Sequence, residues 1–363
     1  MDGPRPAISP YAPTVDDSGG TRSGPAGIDV TQVTAWLAAN VDITPPFSFT
    51  RLAGGHSNLT YRVDDVGGTS VTLRRPPLGE LLATAHDMGR EHRIISALHP
   101  TAVPVARPLG HCQDVDVTGA PFYVMDFVEG TVLHSPESAL QDYEEQQRRR
   151  AGESCIEVLA DLHTVDPVEV GLGDLGRHEG YVARQLKRWY GQWQQSKSRE
   201  LPAIDEVHAL LAATIPEQGP AKIVHGDFRL GNCMTDRASG DVLAVLDWEI
   251  ATLGDPLADL GYILATWAEP ADENPPVRSP TLAEGFLTRA EVLERYAAMS
   301  GRDVSGIDFY VCFSAWKSAC ISEGVYARYL HGGLDATGVD VEGRRIAVDR
   351  WAAMAADVSQ NLH

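Results

Sequence analysis

A chain of 363 residues, 43% hydrophobic and 22% charged, has the composition of a globular protein with one large core or two ordinary ones, and two lobes are expected. Its formal charge of −20 repels nucleic-acid phosphates, so a sequence-independent nucleic-acid binder is excluded unless a basic face is hidden in the total. No run approaches the roughly eighteen apolar residues of a membrane span, and no basic segment followed by an apolar one opens the chain, so no membrane association and a cytoplasmic location are expected. Cys112, Cys155, Cys233, Cys312 and Cys320 show no CxxC or Cys/His spacing suited to zinc and are expected to be reduced structural thiols.

Residues 1–28 are rich in Pro, Gly and Ser, with few large apolar groups to repay the entropy of ordering, and are expected to be a disordered tail. Asp29 caps an expected helix through Asn40. The segments PFSFTRLAGGHSNLTYRVDD and TSVTLRRPP then have the pattern of a three-stranded antiparallel meander, turning at Gly54-Gly55 and Gly67-Gly68. DMGREHRIISAL is an amphipathic helix capped by Asp87, and strands are expected near Arg107–Cys112 and Pro121–Phe127. Helical periods run from Tyr143 to His163 and from Gly180 to Lys197. Beyond Asp255 the chain is expected to be helical, with a Pro-rich loop near Glu269–Pro280 and a capping box at Thr288 and Glu291. The fold class is therefore α+β, with residues 29–128 as a small sheet-bearing lobe and 129–363 as a largely helical one.

Chemistry concentrates in IVHGDFRLGNCM, residues 223–234, and in VLDWE shortly after it. Ile223-Val224 is a short strand that delivers His225-Gly226-Asp227 into a loop, with Asn232 five residues beyond Asp227. In a phosphoryl-transfer loop, an Asp accepts the proton of the attacking hydroxyl, and an Asn at this offset holds a metal ion. A second strand, Val242–Leu246, supplies Asp247, and carboxylate and amide oxygens at strand ends suit hard Mg²⁺. The competing reading is a turn shaped by Asp227 and Asn232, with Asp247 capping the helix that follows.

HGDFRLGN, LDWE and GDPLADLGY together resemble the aminoglycoside phosphotransferase and choline kinase-like branch of the bilobal protein-kinase-like fold. VTLRRPP, LLATAHDMGREHRIISAL, YVMDFVEG and ISEGVYARYLHG are most similar to the kinase-like domain associated with certain acyl-CoA dehydrogenases. The resemblance implies Asp227 as catalytic base, Asn232 and Asp247 as magnesium ligands, and His225 as a support of the catalytic loop. It further implies that Gly54, Gly55, His56, Ser57 and Asn58 cover the phosphates of ATP (or GTP), and that Asp126, Phe127 and Val128, in DFVEG, meet the adenine edge. Locally, an ordinary hairpin turn and a loop leaving a strand fit these two stretches as well.

Where a kinase has Val-Ala-Ile-Lys, this chain has Val71-Thr72-Leu73-Arg74, so a guanidinium takes the place of the phosphate-binding ammonium, with Glu91 its expected partner. Arg75 is the competing assignment, on the opposite strand face. Asp255 and Asp259 are expected to brace the catalytic loop, although Asp259 equally suits a cap or a pair along its own helix. An anionic acceptor would suit Arg328, with Lys317 and Tyr326 on the same helical stretch; a solvated and packed helix face is the alternative. Trp189 and Trp193 are expected in the core. GLGDLG, Gly171–Gly176, satisfies GxGxxG but follows no central strand and is expected to be a linker.

The expected function is ATP- and Mg²⁺-dependent phosphorylation of a small-molecule hydroxyl, the acceptor being a hydroxy acid or its thioester. A nucleotidyl (AMP) transferase or a nucleotide-binding module with little turnover are the alternatives.

Overall fold

From Leu59 to Asp64 every second side chain is buried, the period of a strand with one face on a core. In the computed structural model, which describes residues 24–52, 58–78, 87–334 and 336–362, that strand lies within the first of two compact units. One unit runs to Pro100 and includes Val105–Glu129; the other comprises Thr101–Pro104 and Gly130–His363.

The first unit begins with α1 (Val30–Asn40), whose N-cap Asp29 accepts a hydrogen bond from the Gln32 N–H. Strands β1 (Ser48–Arg51), β2 (Leu59–Asp64) and β3 (Ser70–Arg75) follow, then α2 (Met88–Leu98), capped by Asp87, and β4 (Pro108–Cys112) and β5 (Phe122–Asp126). They form one antiparallel sheet in the order β1-β2-β3-β5-β4. Val33 and Leu37 of α1 pack with Tyr61, Val63, Leu73 and Phe122 into its core. The Gly67-Gly68 turn is present, with Gly68 at φ 87°, whereas Gly54, Gly55, His56 and Ser57 lie outside the described residues.

The boundary of the expected tail shifts. Residues 24–28 pack on this unit: Ile28 is buried, the Tyr61 hydroxyl donates to the Ala26 carbonyl at 2.6 Å, and Arg75 donates to the carbonyls of Gly27 and Thr118. Composition hides this because the tail contributes mainly backbone carbonyls, which the sheet's own side chains satisfy.

The second unit contains β6 (Thr131–Val132), α3 (Pro136–Asp142), α4 (Glu145–Thr164), α5 (Tyr181–Ser196), α6 (Pro202–Ala213), β7 (Lys222–Val224), β8 (Cys233–Thr235), β9 (Val242–Val245) and β10 (Thr252–Gly254). Helices α7 (Leu257–Thr266), α8 (Arg289–Ser300), α9 (Ile307–Leu330) and α10 (Val341–Ser359) complete it. Two small antiparallel sheets, β6-β8-β9 and β7-β10, carry the HGDFRLGN and LDWE segments. Helix α9 is buried over most of its length and packs against α5, α7 and α10. GLGDLG lies in turns between α4 and α5, and all five cysteines are free and buried. Among the described residues, no helix is long and apolar enough to cross a membrane.

Thr288 and Glu291 close the expected capping box on α8: the Thr288 side chain accepts from the Glu291 N–H, and Glu291 accepts from the Thr288 N–H at 2.8 Å. That backbone donor, with the Arg149 guanidinium, holds the Glu291 carboxyl down at about 2, against an ordinary 4.5. A carboxyl depressed by folding stabilises above its unfolded value and loses that contribution as pH falls towards its folded value. The stability advantage of wild type over Glu291→Gln, followed by urea denaturation, is therefore expected to be full above about pH 4.5 and to shrink towards pH 2.

Candidate active site

Strand β7 ends at Val224 and delivers His225-Gly226-Asp227 into a loop held from beneath by one buried carboxylate. Asp259, in the first turn of α7 and 1% exposed, accepts the His225 N–H at 2.6 Å on Oδ2 and the Gly226 N–H at 2.8 Å on Oδ1. Gly226 sits at φ 86°, a left-handed conformation that glycine adopts without a side-chain clash. His225 accepts the Asp227 N–H at Nδ1, 3.2 Å, and its Nε2 lies 2.9 Å from the Leu246 carbonyl, which makes Nε2 the protonated nitrogen. His163 of α4 sits behind Asp259, with Nε2 at 3.5 Å and Nδ1 at 2.7 Å from the Tyr296 hydroxyl. Burial lowers the His163 pKa. For Asp259, burial pushes the carboxyl up, but the His163 hydrogen bond and the backbone donors outweigh it and hold the carboxyl below its ordinary value. Asp255 accepts from the Tyr310 hydroxyl at 2.6 Å and tethers the start of α7 to α9.

Both oxygens of Asp227 are oriented. The Tyr262 hydroxyl donates to Oδ1 at 2.6 Å, and the Asn232 amide donates to Oδ2 at 2.8 Å and to the Asp227 carbonyl at 2.8 Å. Burial, then the neighbouring Asp227 carboxylate, raises the Tyr262 pKa well above its ordinary value, so the phenol remains a donor. Arg229 Nε lies 3.4 Å from Asp227 Oδ1. A carboxylate has about four acceptor sites, so this arrangement leaves room for a substrate hydroxyl.

Asn232 and Asp247 meet through the β8–β9 pairing. Cys233 faces Val245, and the Leu246 N–H donates to the Asn232 carbonyl at 2.8 Å, which brings the amide and the carboxylate to adjacent strand ends. Among the described residues, Asp247 is the one non-glycine at positive φ, with φ 65° and ψ 61°. It occupies the N-cap position of the short 3-10 turn Trp248–Ile250, yet its side chain makes no cap hydrogen bond, so capping does not account for it. Strain of this kind concentrates at sites where function over-determines the backbone. Because the Asn232 donors are turned to Asp227, its Oδ1 is left for a cation; an amide oxygen and a carboxylate form the donor set of a hard ion that keeps waters and phosphates.

In the first unit, Arg74 Nε lies 3.0 Å from Glu91 Oε2, and Glu91, 2% exposed, also accepts from Tyr123 at 2.9 Å and Asn58 at 3.2 Å. Arg75 is on the other face of β3, engaged with the Gly27 and Thr118 carbonyls. Asp126 is bound through its N–H to the Arg107 carbonyl at 2.9 Å and through its carboxylate to the Arg107 guanidinium at 3.0 Å. The Arg62 guanidinium covers the ring of Phe127 at 4.6 Å; Val128 precedes the passage to the second unit after Glu129.

A cavity of about 620 Å³ in the second unit is lined by Asp227, Arg229 and Tyr262. Of the three residues expected for an anionic acceptor, Lys317 lines it; Arg328 and Tyr326 do not. Arg328 is exposed with Nε at 3.4 Å from the Gly324 carbonyl, and Tyr326 packs beside Arg199. Nine residues turn Tyr326 to the far side of the helix from Lys317, and eleven carry Arg328 about 16 Å along the axis. Trp193 is fully buried as expected, whereas Trp189 lines the cavity beside Arg188. Sequence reasoning also passed over Arg229, Tyr262 and Arg188. The first two carried a signal: Arg229 lies two residues beyond Asp227, and Tyr262 is one turn beyond Asp259 on the same face of α7.

The pattern of the phosphotransferase enzyme family matches residues 48–302. The chain is 34% identical over 302 residues to acyl-CoA dehydrogenase family member 11 of Gallus gallus and 33% identical over 294 residues to family member 10 of Mus musculus. Each match covers 80% of this chain but only 38% and 27% of those proteins' own lengths. A Ralstonia eutropha crystal structure, provisionally described as an aminoglycoside phosphotransferase, superposes with a TM-score of 0.80 at 32% identity, covering 92% of this chain and 99% of that one. The amicoumacin kinase hAmiN, with a TM-score of 0.57 and 16% identity over 92% of this chain and 94% of its own, shares the fold. The fold is thus α+β and protein-kinase-like. The chain belongs to the phosphotransferase enzyme family, among relatives that are acyl-CoA dehydrogenase family members.

If Asp259 braces the loop, Asp259→Ala leaves two buried backbone donors unsatisfied and should lower unfolding stability by about 3 kcal/mol, read by chemical denaturation. Because its folded carboxyl lies below the ordinary 3.8, the wild-type advantage should be full above that pH and diminish on further acidification. Unchanged stability with lost transfer would instead assign Asp259 to direct participation.

Proposed function

We propose that the protein transfers the γ-phosphoryl group of Mg-ATP (or Mg-GTP) to a hydroxyl of a small molecule, a hydroxy acid or its thioester. The observation that carries this reading is the pairing of an oriented carboxylate, Asp227, with the adjacent strand ends that present Asn232 and the strained Asp247. Phosphoryl transfer asks the protein to align donor and acceptor and to neutralise charge.

In this reading Asp227 takes the proton of the acceptor hydroxyl, with Tyr262 and Asn232 fixing the carboxylate's rotamer. His225, Asp255 and Asp259 hold the loop. Asn232 Oδ1 and the Asp247 carboxylate would hold Mg²⁺, which when bound supplies positive charge to the phosphate oxygens. Arg229 adds a guanidinium beside the base. Arg74, ion-paired with Glu91, contacts the nucleotide phosphates as a fixed, always-charged fork. Gly54, Gly55, His56, Ser57 and Asn58 are assigned to the phosphate-covering turn, and Asp126, Phe127 and Val128 to the adenine edge. The Asp126 N–H is already taken by Arg107, so that edge falls chiefly to the two residues after it. Nucleotide and divalent-ion use is also supported by the like-folded amicoumacin kinase, whose solved structure is a complex with AMP-PNP and Ca²⁺. Residues 29–128 and 129–363 are proposed as the nucleotide and catalytic lobes, and a cytoplasmic location is proposed with them.

The test is mass spectrometry of pooled acceptors (aminoglycosides, amino alcohols, hydroxy acids and their thioesters) incubated with Mg-ATP. A phosphate adduct is expected on a hydroxy acid or its thioester, and Asp227→Ala should reduce its rate on the order of 10²- to 10⁴-fold, the usual worth of a general base. AMP adducts would replace phosphoryl with nucleotidyl transfer; nucleotide binding with no adduct would reduce the protein to a binding module. Arg74→Ala is expected to raise the KM for Mg-ATP roughly tenfold or more, the worth of a charge-assisted contact. An unchanged KM and kcat would remove Arg74 from the nucleotide site.

A further inference from the structure

Lys317 stands in the middle of α9 and is only 8% exposed. Its ammonium makes one long hydrogen bond, 3.5 Å to the Gly226 carbonyl, and lies 5.4 Å from the centre of the Tyr262 ring. An ammonium carries three donors, and a buried charge without a counter-charge is costly. Among the described residues, no carboxylate stands within ion-pair distance of Lys317. Burial lowers its pKa; the carboxylates of Asp259 and Asp227, beyond ion-pair distance, oppose that shift without overcoming it, and the nearby positive charge of Arg188 adds to the lowering.

Arg188, on α5, likewise has no carboxylate partner among the described residues; its guanidinium lies 4.8 Å over the ring of Trp189. Both cations line the 620 Å³ cavity. Its two other Lys or Arg side chains are engaged, Arg229 with Asp227 and Arg278 with Glu137. Among the described residues that line it, Asp227 is the single carboxylate, and Trp189, Ile321 and Trp351 add apolar wall. In a chain of formal charge −20, two neighbouring cations with no carboxylate in ion-pair contact among the described residues are an arrangement that a ligand anion completes.

We propose that Lys317 and Arg188 form an anion-binding subsite that holds the carboxylate of the acceptor while the acceptor's hydroxyl lies at Asp227. This rests on the proposed function, narrows its acceptor to the free hydroxy acid, whose carboxylate a thioester lacks, and adds the residues that select it. The carboxylate supplies the counter-charge and acceptor lone pairs that both cations lack. A neutral alcohol of the same length leaves both cations unpaired, and a polycation is repelled by them, so the subsite selects against aminoglycosides.

The experiment follows tryptophan fluorescence of the full chain, without nucleotide, during titration with 3-hydroxybutyrate and with its neutral counterpart 1,3-butanediol. Hydroxybutyrate should bind at least roughly tenfold more tightly, and Arg188→Gln and Lys317→Met should each weaken it about 10- to 100-fold, the range of a hydrogen bond to a charged group. Lys317→Met also removes an unpaired buried charge, so its Tm should rise, whereas a merely structural lysine would lower it. Absence of hydroxybutyrate binding, equal binding of the two probes, or a lower Tm for Lys317→Met with hydroxybutyrate affinity intact would overturn the subsite. The two readings fail separately: anion preference with no phosphate adduct on any acceptor sinks the transfer reaction alone, and an adduct formed without anion preference sinks the subsite alone.

Discussion

The second unit depends on one buried carboxylate. Asp259 takes two successive backbone N–H groups, from His225 and Gly226, at the point where β7 gives way to the loop that carries Asp227. Peptide donors at such a turn have no strand or helix partner, and inside a protein they must find an acceptor. Because that acceptor is fixed in the first turn of α7 and backed by His163, loop and helix are placed as one piece. Tyr262, one turn further along α7, then reaches Asp227, so the helix that satisfies the loop's backbone also aims its carboxylate.

A second constraint runs through the β8–β9 pairing. The register that sets Cys233 against Val245 brings Asn232 and Asp247 to adjacent strand ends, and Asp247 adopts a left-handed backbone that an L-residue avoids. Such a conformation costs of order 1–3 kcal/mol and persists only where its surroundings enforce it. The hairpin, the Leu246 N–H bound to Asn232 and the His225 contact to the Leu246 carbonyl supply that enforcement. Here stability has been given up locally at a position where a metal-binding carboxylate is proposed, consistent with the trade between stability and function seen at active sites.

Net charge and site charge point in opposite directions. The chain carries fifty acidic side chains, yet the cavity beside Asp227 is lined by Arg188, Arg229, Arg278 and Lys317. A total of −20 serves solubility and governs long-range repulsion, while recognition is decided by the few groups within a few ångströms of the ligand. Composition alone therefore leaves a cationic acceptor open, and the proposed anion subsite disfavours one.

Much of the fold was legible in the sequence because its signals are local. The caps at Asp29, Asp87 and Thr288, the alternation along β2 and the helical periods of α4 and α5 each depend on residues a few positions apart. Short elements such as β6 and β10 escaped, because two or three residues carry no period, and so did α3, which at seven residues is under two turns; residues 24–28 escaped because their role is to offer backbone carbonyls to Tyr61 and Arg75. At the candidate site, Asp227, Asn232 and Asp247 could be singled out from spacing, since they sit in two short segments at neighbouring strand ends. The choice of Arg74 over Arg75 also followed from the two-residue period of a strand. Tertiary structure alone decided what lines the cavity beside Asp227: whether Lys317 or Arg328 faces the loop, and whether Arg188 and Trp189 belong to that cavity, depends on how α5, α7 and α9 pack across more than a hundred residues of chain. Sequence fixes a helix's own period, but its rotation against its neighbours is set by side-chain packing summed over distant segments.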